Sequence, residues 1–137
     1  MKLSARNQMQ GTISSIERGA VNGIVTLDVN GMEIVGTISI GSIDSLSLEA
    51  GKKATAIVKA TEVMIAIGEL NISARNQITG TISNIEEGSV NGIVTITNGT
   101  VELSATISKA SIQKLGLAVG KEATAVVKAT SVMFGVE

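Results

Sequence analysis

Apolar and polar positions along this chain alternate in short runs, with a period of two rather than of three or four. In Met32-Glu33-Ile34-Val35-Gly36-Thr37-Ile38, the residues Met32, Ile34, Gly36 and Ile38 fall on one face of an extended segment. Val101, Leu103, Ala105 and Ile107 do the same later in the chain, and Val25, Leu27 and Val29 alternate in the same way. The Asn30-Gly31 pair between two of these runs predicts a tight hairpin, because a type I′ turn needs positive φ at both central residues. Further strands are predicted over Gly11 to Ile16, Ala54 to Lys59 and Val63 to Ile67. Between the third and fourth strands, Ser42-Ile43-Asp44-Ser45-Leu46-Ser47-Leu48 predicts one or two helical turns. Ser42 is placed to cap them, Ile43 and Leu46 lie three apart, and Gly51-Lys52 closes the segment with a turn.

The same pattern is written twice. Ser4-Ala5-Arg6-Asn7-Gln8 recurs as Ser73-Ala74-Arg75-Asn76-Gln77, an offset of 73 − 4 = 69 residues, and that offset holds without a gap to the C-terminus. Val21-Asn22-Gly23-Ile24-Val25-Thr26 returns as Val90-Asn91-Gly92-Ile93-Val94-Thr95, and more than half of the paired positions are identical. The expectation is two copies of one small domain, residues 1–69 and 70–137, with no Pro- or Ser-rich linker between them. Five short strands with a helical turn between the third and fourth match the Greek-key barrel of the OB type, so the fold class is all-β: two tandem OB-like five-stranded barrels. A barrel of about 69 residues buries only some 60% of its unfolded surface, and these copies lack large aromatic side chains for a core. Assembly into a homo-oligomer is therefore expected.

Composition removes most kinds of chemistry. The 137 residues include no His, Cys, Trp, Tyr or Pro, and Phe134 is the only aromatic. Catalytic sites of the Ser-His-Asp and Cys-His kinds, thiolate or imidazole metal ligands and disulfides are excluded. Eleven basic residues against 12 acidic ones give a net charge of −1, so there is neither a basic stripe for phosphates nor an aromatic platform for single strands. Glu17/Glu86 and Glu33/Glu102 are the only acids kept in both copies, amid alternating strand residues where a solvated face is the ordinary reading. No enzyme activity, nucleic-acid partner or protein-ligated metal is expected. No apolar run approaches the ~18 residues that cross a bilayer and no signal-type stretch opens the chain, so no membrane association and a cytoplasmic location are expected.

What remains is a set of hydrogen-bond donors, repeated. Ser4 and Arg6, with Ser73 and Arg75, stand two residues apart at the start of each copy, where an extended segment points both to one side. Lys59-Ala60-Thr61 recurs as Lys128-Ala129-Thr130 at the end of the fourth strand. Ser39 and Ser42, with Ser108 and Ser111, lead into the helical turn. Taken singly, each has a plain explanation: an exposed Arg at a strand end, a solvated Lys, a helix cap. Pooled, they present guanidinium, ammonium, hydroxyl and amide donors and no carboxylate, which describes a site for a small oxyanion.

These segments also carry a resemblance. The Ser-Ala-Arg-Asn-Gln opening, Gly11-Thr12-Ile13, the Leu-rich turn into Gly51-Lys52 and the Lys-Ala-Thr-x-Val-Met ending resemble the mop or TOBE-type domains of molbindins, twice over and across the whole chain. Leu46-Ser47-Leu48 departs from the family's Leu-Gly-Leu, which the second copy keeps as Leu115-Gly116-Leu117. The resemblance implies OB-like barrels, homotrimers of tandem chains, and sites for molybdate or tungstate at interfaces between domains. It places anion contacts on Ser4, Arg6, Ser39, Ser42, Lys59 and Ala60 and their second-copy equivalents, with no other cofactor, in a role of intracellular molybdenum storage or homeostasis. An OB-type structural or interaction module without bound oxyanion is the alternative, and it predicts no anion-dependent change in stability.

Overall fold

The computed structural model describes every residue from Met1 to Glu137. Ten strands, β1 (Asn7–Arg18), β2 (Asn22–Val29), β3 (Met32–Ser39), β4 (Lys53–Val58), β5 (Met64–Ala66), β6 (Asn76–Glu87), β7 (Asn91–Thr97), β8 (Glu102–Ser108), β9 (Glu122–Val127) and β10 (Met133–Gly135), form two antiparallel five-stranded sheets. Helices α1 (Ile40–Ser45) and α2 (Lys109–Leu115) follow the third strand of each copy, and single 3-10 turns at Ala60–Glu62 and Ala129–Ser131 follow the fourth. This is the OB-like, all-β arrangement that the alternation predicts.

The sheets, however, do not follow the sequential halves. Their strand orders are β10-β4-β1-β2-β3 and β5-β9-β6-β7-β8, so each sheet takes its fifth strand from the other copy of the repeat. Unit 1 comprises Met1–Val58 with Lys128–Glu137, and unit 2 comprises Lys59–Val127. The halves 1–69 and 70–137 are thus units of sequence, and the units of packing exchange residues 59–69 for 128–137. In unit 1, Phe134 pairs with Ala56 across the β10–β4 ladder; in unit 2, Ile65 pairs with Ala125 across β5–β9. Periodicity is blind to this choice, because the fifth strand has the same pattern whichever copy supplies it.

Within each unit the long first strand does two jobs. The first half of β1 pairs with β4 (Asn7↔Val58 to Thr12↔Lys53) and its second half with β2, and the register shifts between Ile13 and Ser15. That bulge bends the strand so that it can serve both neighbours, and the Ser14 hydroxyl at the bulge donates to Thr26 O at 3.2 Å. Unit 2 repeats the shift between Ile82 and Asn84, with Ser83 Oγ donating to Thr95 O. Gly11 and Gly80 stand where a β-carbon would run into the carbonyl of Asp28 or Thr97, which explains the glycine at this position of both copies.

The predicted hairpin is present. Asn30 and Gly31 have φ of 52° and 90°, and Gly31 N donates to Asp28 Oδ1 at 2.7 Å. The predicted helix begins three residues earlier than expected. Ser39 caps α1 and Ser108 caps α2, with Ser42 and Ser111 in the first helical turn. The core of unit 1 is aliphatic, built on Ile13, Val25, Leu27, Ile34, Ile43 and Val58, and that of unit 2 on Val63, Ile82, Val94, Ile96, Leu103 and Val126. Phe134, 8% exposed, is the one aromatic addition. Its ring covers Gly36 of β3, where a β-carbon would lie 2.8 Å from Phe134 Cζ and 3.1 Å from Val132 Cγ1.

Candidate functional site

The donor residues fall at the ends of strands, where the sheet's own ladder leaves side chains and amides free. Asn7 pairs with Val58 at the end of the β1–β4 ladder, and the next residues along the two strands are Arg6 and Lys59. In the second copy Asn76 pairs with Val127, and the next residues are Arg75 and Lys128. Packing then divides the candidates by unit. Unit 1 holds Ser4, Arg6, Ser39 and Ser42 together with Lys128, Ala129 and Thr130, because the turn at Ala129–Ser131 packs on β3, whose last residue is Ser39. Unit 2 holds Ser73, Arg75, Ser108 and Ser111 together with Lys59, Ala60 and Thr61, whose turn packs on β8.

The side chains are presented outward. Ser4, Arg6, Lys59, Thr61 and their equivalents Ser73, Arg75, Lys128 and Thr130 are exposed, whereas Ala60 and Ala129 are buried at 7% and 9%. The two alanines can contribute only backbone amides, and the first amides of a helical turn have no carbonyl partner inside it. None of the four cationic side chains is paired with an acid: the ion pairs of the chain are the Met1 ammonium with Glu137 and Arg18 with Asp44. No group of three or more acidic side chains converges as a metal site would require.

The serines are less free than their repetition suggests. Ser39 Oγ accepts from Ser42 N at 3.1 Å and donates to Ser42 Oγ at 3.0 Å; Ser108 and Ser111 repeat this at 3.1 and 2.9 Å. The caps are therefore Ser39 and Ser108, three residues before the expected Ser42 and Ser111. Because the Ser42 oxygen accepts from Ser39, its own proton is directed away from the cap and remains available as a donor.

Two members of the repeated motif hold structural positions that residue type alone did not reveal. Asn7 and Asn76 are buried at 2% and 3%, and Asn76 Nδ2 donates to Val127 O at 3.2 Å, at the point where β9 hands over to Lys128. Gln8 and Gln77 bond back to the loop that precedes them. The only signal for either was their recurrence in both copies. A surface cavity of about 530 Å³ in unit 1, between Thr12, Lys53, Thr55 and Glu137, includes none of the candidate residues.

Comparison with known proteins converges on one family. Residues 3–65 and 72–134 each match the TOBE domain. A crystal structure of ModG, a cytoplasmic molybdate-binding protein, with molybdate bound, superposes with a TM-score of 0.96 at 40% identity over 100% of both chains. The molybdenum transport protein ModE of Herbaspirillum seropedicae is 40% identical over 141 residues, all of this chain but 52% of ModE. A probable molybdenum-pterin-binding protein of Haemophilus influenzae is 48% identical over 68 residues, 49% of this chain and 99% of that one. The chain thus spans about half the length of ModE, the full length of ModG, and twice the small pterin-binding protein. With two matched domains in tandem and a fold shared over its whole length, the chain belongs to the TOBE-domain family, as a di-mop protein of the molbindin type.

Proposed function

We propose that this chain is a binding module for molybdate, and for tungstate with it, that works in the cytoplasm as a homotrimer and stores or buffers molybdenum. The observation that carries the reading is the full-length match to ModG with molybdate bound, at 40% identity, combined with a donor set free of carboxylates. Molybdate is a tetrahedral dianion with four equivalent acceptor oxygens. Ser4, Arg6, Ser39, Ser42, Lys59, Ala60 and Thr61, with Ser73, Arg75, Ser108, Ser111, Lys128, Ala129 and Thr130, supply hydroxyl, guanidinium, ammonium and amide donors for it. The two sequence copies, 1–69 and 70–137, each bring one complete donor set, and the sites form between domains. Sulfate has the same charge and shape but is smaller. Rigidly held donors spaced for the larger ion leave it partly unsatisfied, so selectivity follows from size. Tungstate, nearly equal to molybdate in size, is not discriminated.

Assembly is supported by apolar side chains exposed at equivalent positions of the two copies. Leu3 and Ile72 are each 48% exposed, Met64 and Met133 45% and 43%, and Val21 and Val90 73% and 72%. Nothing in this reading calls for catalysis or for a nucleic-acid partner. Calorimetric titration with molybdate, tungstate and sulfate, alongside sedimentation with and without molybdate, tests it. The expected result is tight binding of the first two, weak binding of sulfate, and a trimer. Absence of heat with molybdate, or sulfate competing equally, would instead favour a structural module without ligand.

A further inference from the structure

The segment that carries Ser4 and Arg6 has no strand partner; beyond the ion pair of the Met1 ammonium with Glu137 at its far end, the Gln8 side chain holds it. Gln8, the second residue of β1, turns its amide back so that Nε2 donates to Leu3 O and to Ala5 O, both at 3.0 Å. Those two carbonyls flank Ser4, and Arg6 follows the second of them. Residues 1–5 lie outside any helix, strand or turn, and these two bonds close the loop around Ser4. Because both partners are carbonyl oxygens, only the NH₂ of the glutamine amide can face them, which fixes its orientation.

The second copy makes the same closure in a different setting. Gln77 Nε2 donates to Ile72 O at 3.3 Å and to Ala74 O at 3.0 Å, flanking Ser73 and preceding Arg75. One loop begins at the chain terminus, tied by the Met1–Glu137 ion pair, while the other continues from residue 71 in mid-chain. The glutamine bonds are common to both. Gln8 and Gln77 are themselves exposed, so burial does not account for their identity.

We infer that Gln8 and Gln77 are positioning residues for oxyanion binding, pre-forming the loops from which Ser4, Arg6, Ser73 and Arg75 reach the anion. The inference rests on the oxyanion reading above. A loop already closed before binding does not lose its conformational freedom when the anion arrives. The glutamine does not touch the anion; it acts through the backbone of the residues that do.

The test compares Gln8→Met/Gln77→Met with Arg6→Ala/Arg75→Ala and with all four changes together. Methionine keeps the length and neutrality of glutamine and removes both donors; a second pair, Gln8→Asn/Gln77→Asn, keeps the amide but shortens its reach by one methylene. Molybdate dissociation constants, ligand-free melting and amide hydrogen exchange of residues 3–6 and 72–75 are measured for each. Both glutamine variants are expected to weaken molybdate binding about tenfold, the loss expected for two neutral hydrogen bonds that act only through loop order. They should leave the ligand-free melt in place, hasten exchange in the two loops, and have little further effect once the arginines are gone. Glutamine variants that bind like the parent while the arginine variants lose affinity would overturn the positioning role and leave the oxyanion site standing. Arginine variants that also bind like the parent would remove the site reading, and this inference with it.

Discussion

Units 1 and 2 are built from one repeat, yet they fill the space between the third and fifth strands differently. In unit 1 the third strand has Gly36 and the fifth strand lays Phe134 over it; in unit 2 the equivalent positions are Ala105 and Ile65. The larger side chain goes with the smaller partner in each case. The two members of each pair come from different copies of the repeat, since β10 belongs to the second copy and β3 to the first. Had each copy kept its own fifth strand, Phe134 would meet Ala105, and a β-carbon at that position falls within the ring, as the geometry at Gly36 shows. Side-chain volume therefore discriminates between two pairings that backbone pattern leaves equal.

That comparison can be broken at several points. Phe134→Ala should be the most damaging substitution, costing about 3–5 kcal/mol of unfolding free energy, because it opens a void over a glycine that cannot fill it. Thermal or denaturant unfolding measures this, and a cost below that of Ile65→Ala would show that the aromatic is not the main filler of unit 1. At the donor ends the units should behave alike: Arg6→Ala and Arg75→Ala should each weaken molybdate binding about ten- to a hundredfold, the loss of roughly 1.5–3 kcal/mol expected for a charged hydrogen-bond partner. Markedly unequal losses in calorimetry would mean that the two copies are not equivalent donors.

Gly36→Ala should cost about 1–3 kcal/mol by overpacking against Phe134. Adding Phe134→Ile converts unit 1 to the pairing of unit 2 and should recover most of that loss; failure of the rescue in a double-mutant cycle would separate the two positions energetically. The smallest expected effect lies in the turn after the helix. Ser47 holds φ of 53° where unit 2 has Gly116 at 63°. A left-handed conformation costs a side chain with a β-carbon about 1 kcal/mol, so Ser47→Gly should raise stability by up to that amount, and a melt unchanged or lowered would show that the serine is not strained.

Much of the fold was readable because alternation and turn chemistry are local. Met32 to Ile38 form β3 as expected, and the Asn30-Gly31 hairpin has positive φ at both residues. The helix starts earlier than the sequence predicts because two serines three apart both fit a cap, and only the backbone geometry shows that Ser39 takes it. The first strand proved longer than expected, Asn7–Arg18 rather than Gly11 to Ile16, because a buried Asn7 and an exposed Gln8 do not read as strand residues. The exchange of fifth strands was invisible for a different reason: which copy a strand pairs with is a long-range choice, and the repeat makes both choices look the same. Of the candidate site, the proposed donors stand out in the sequence by their repetition. Asn76 and Gln8 recur in the same motif, but residue type does not show that they bond to backbone carbonyls beside the proposed donors.

The most direct test of the central claim is equilibrium dialysis against molybdate in excess sulfate, with bound molybdenum counted per chain for the parent and for Arg6→Ala/Arg75→Ala. The parent is expected to retain molybdenum in fixed proportion to chain despite the sulfate, and the arginine variant, still folded by its melt, to retain far less. Equal retention by the two proteins, or none by the parent, would contradict it.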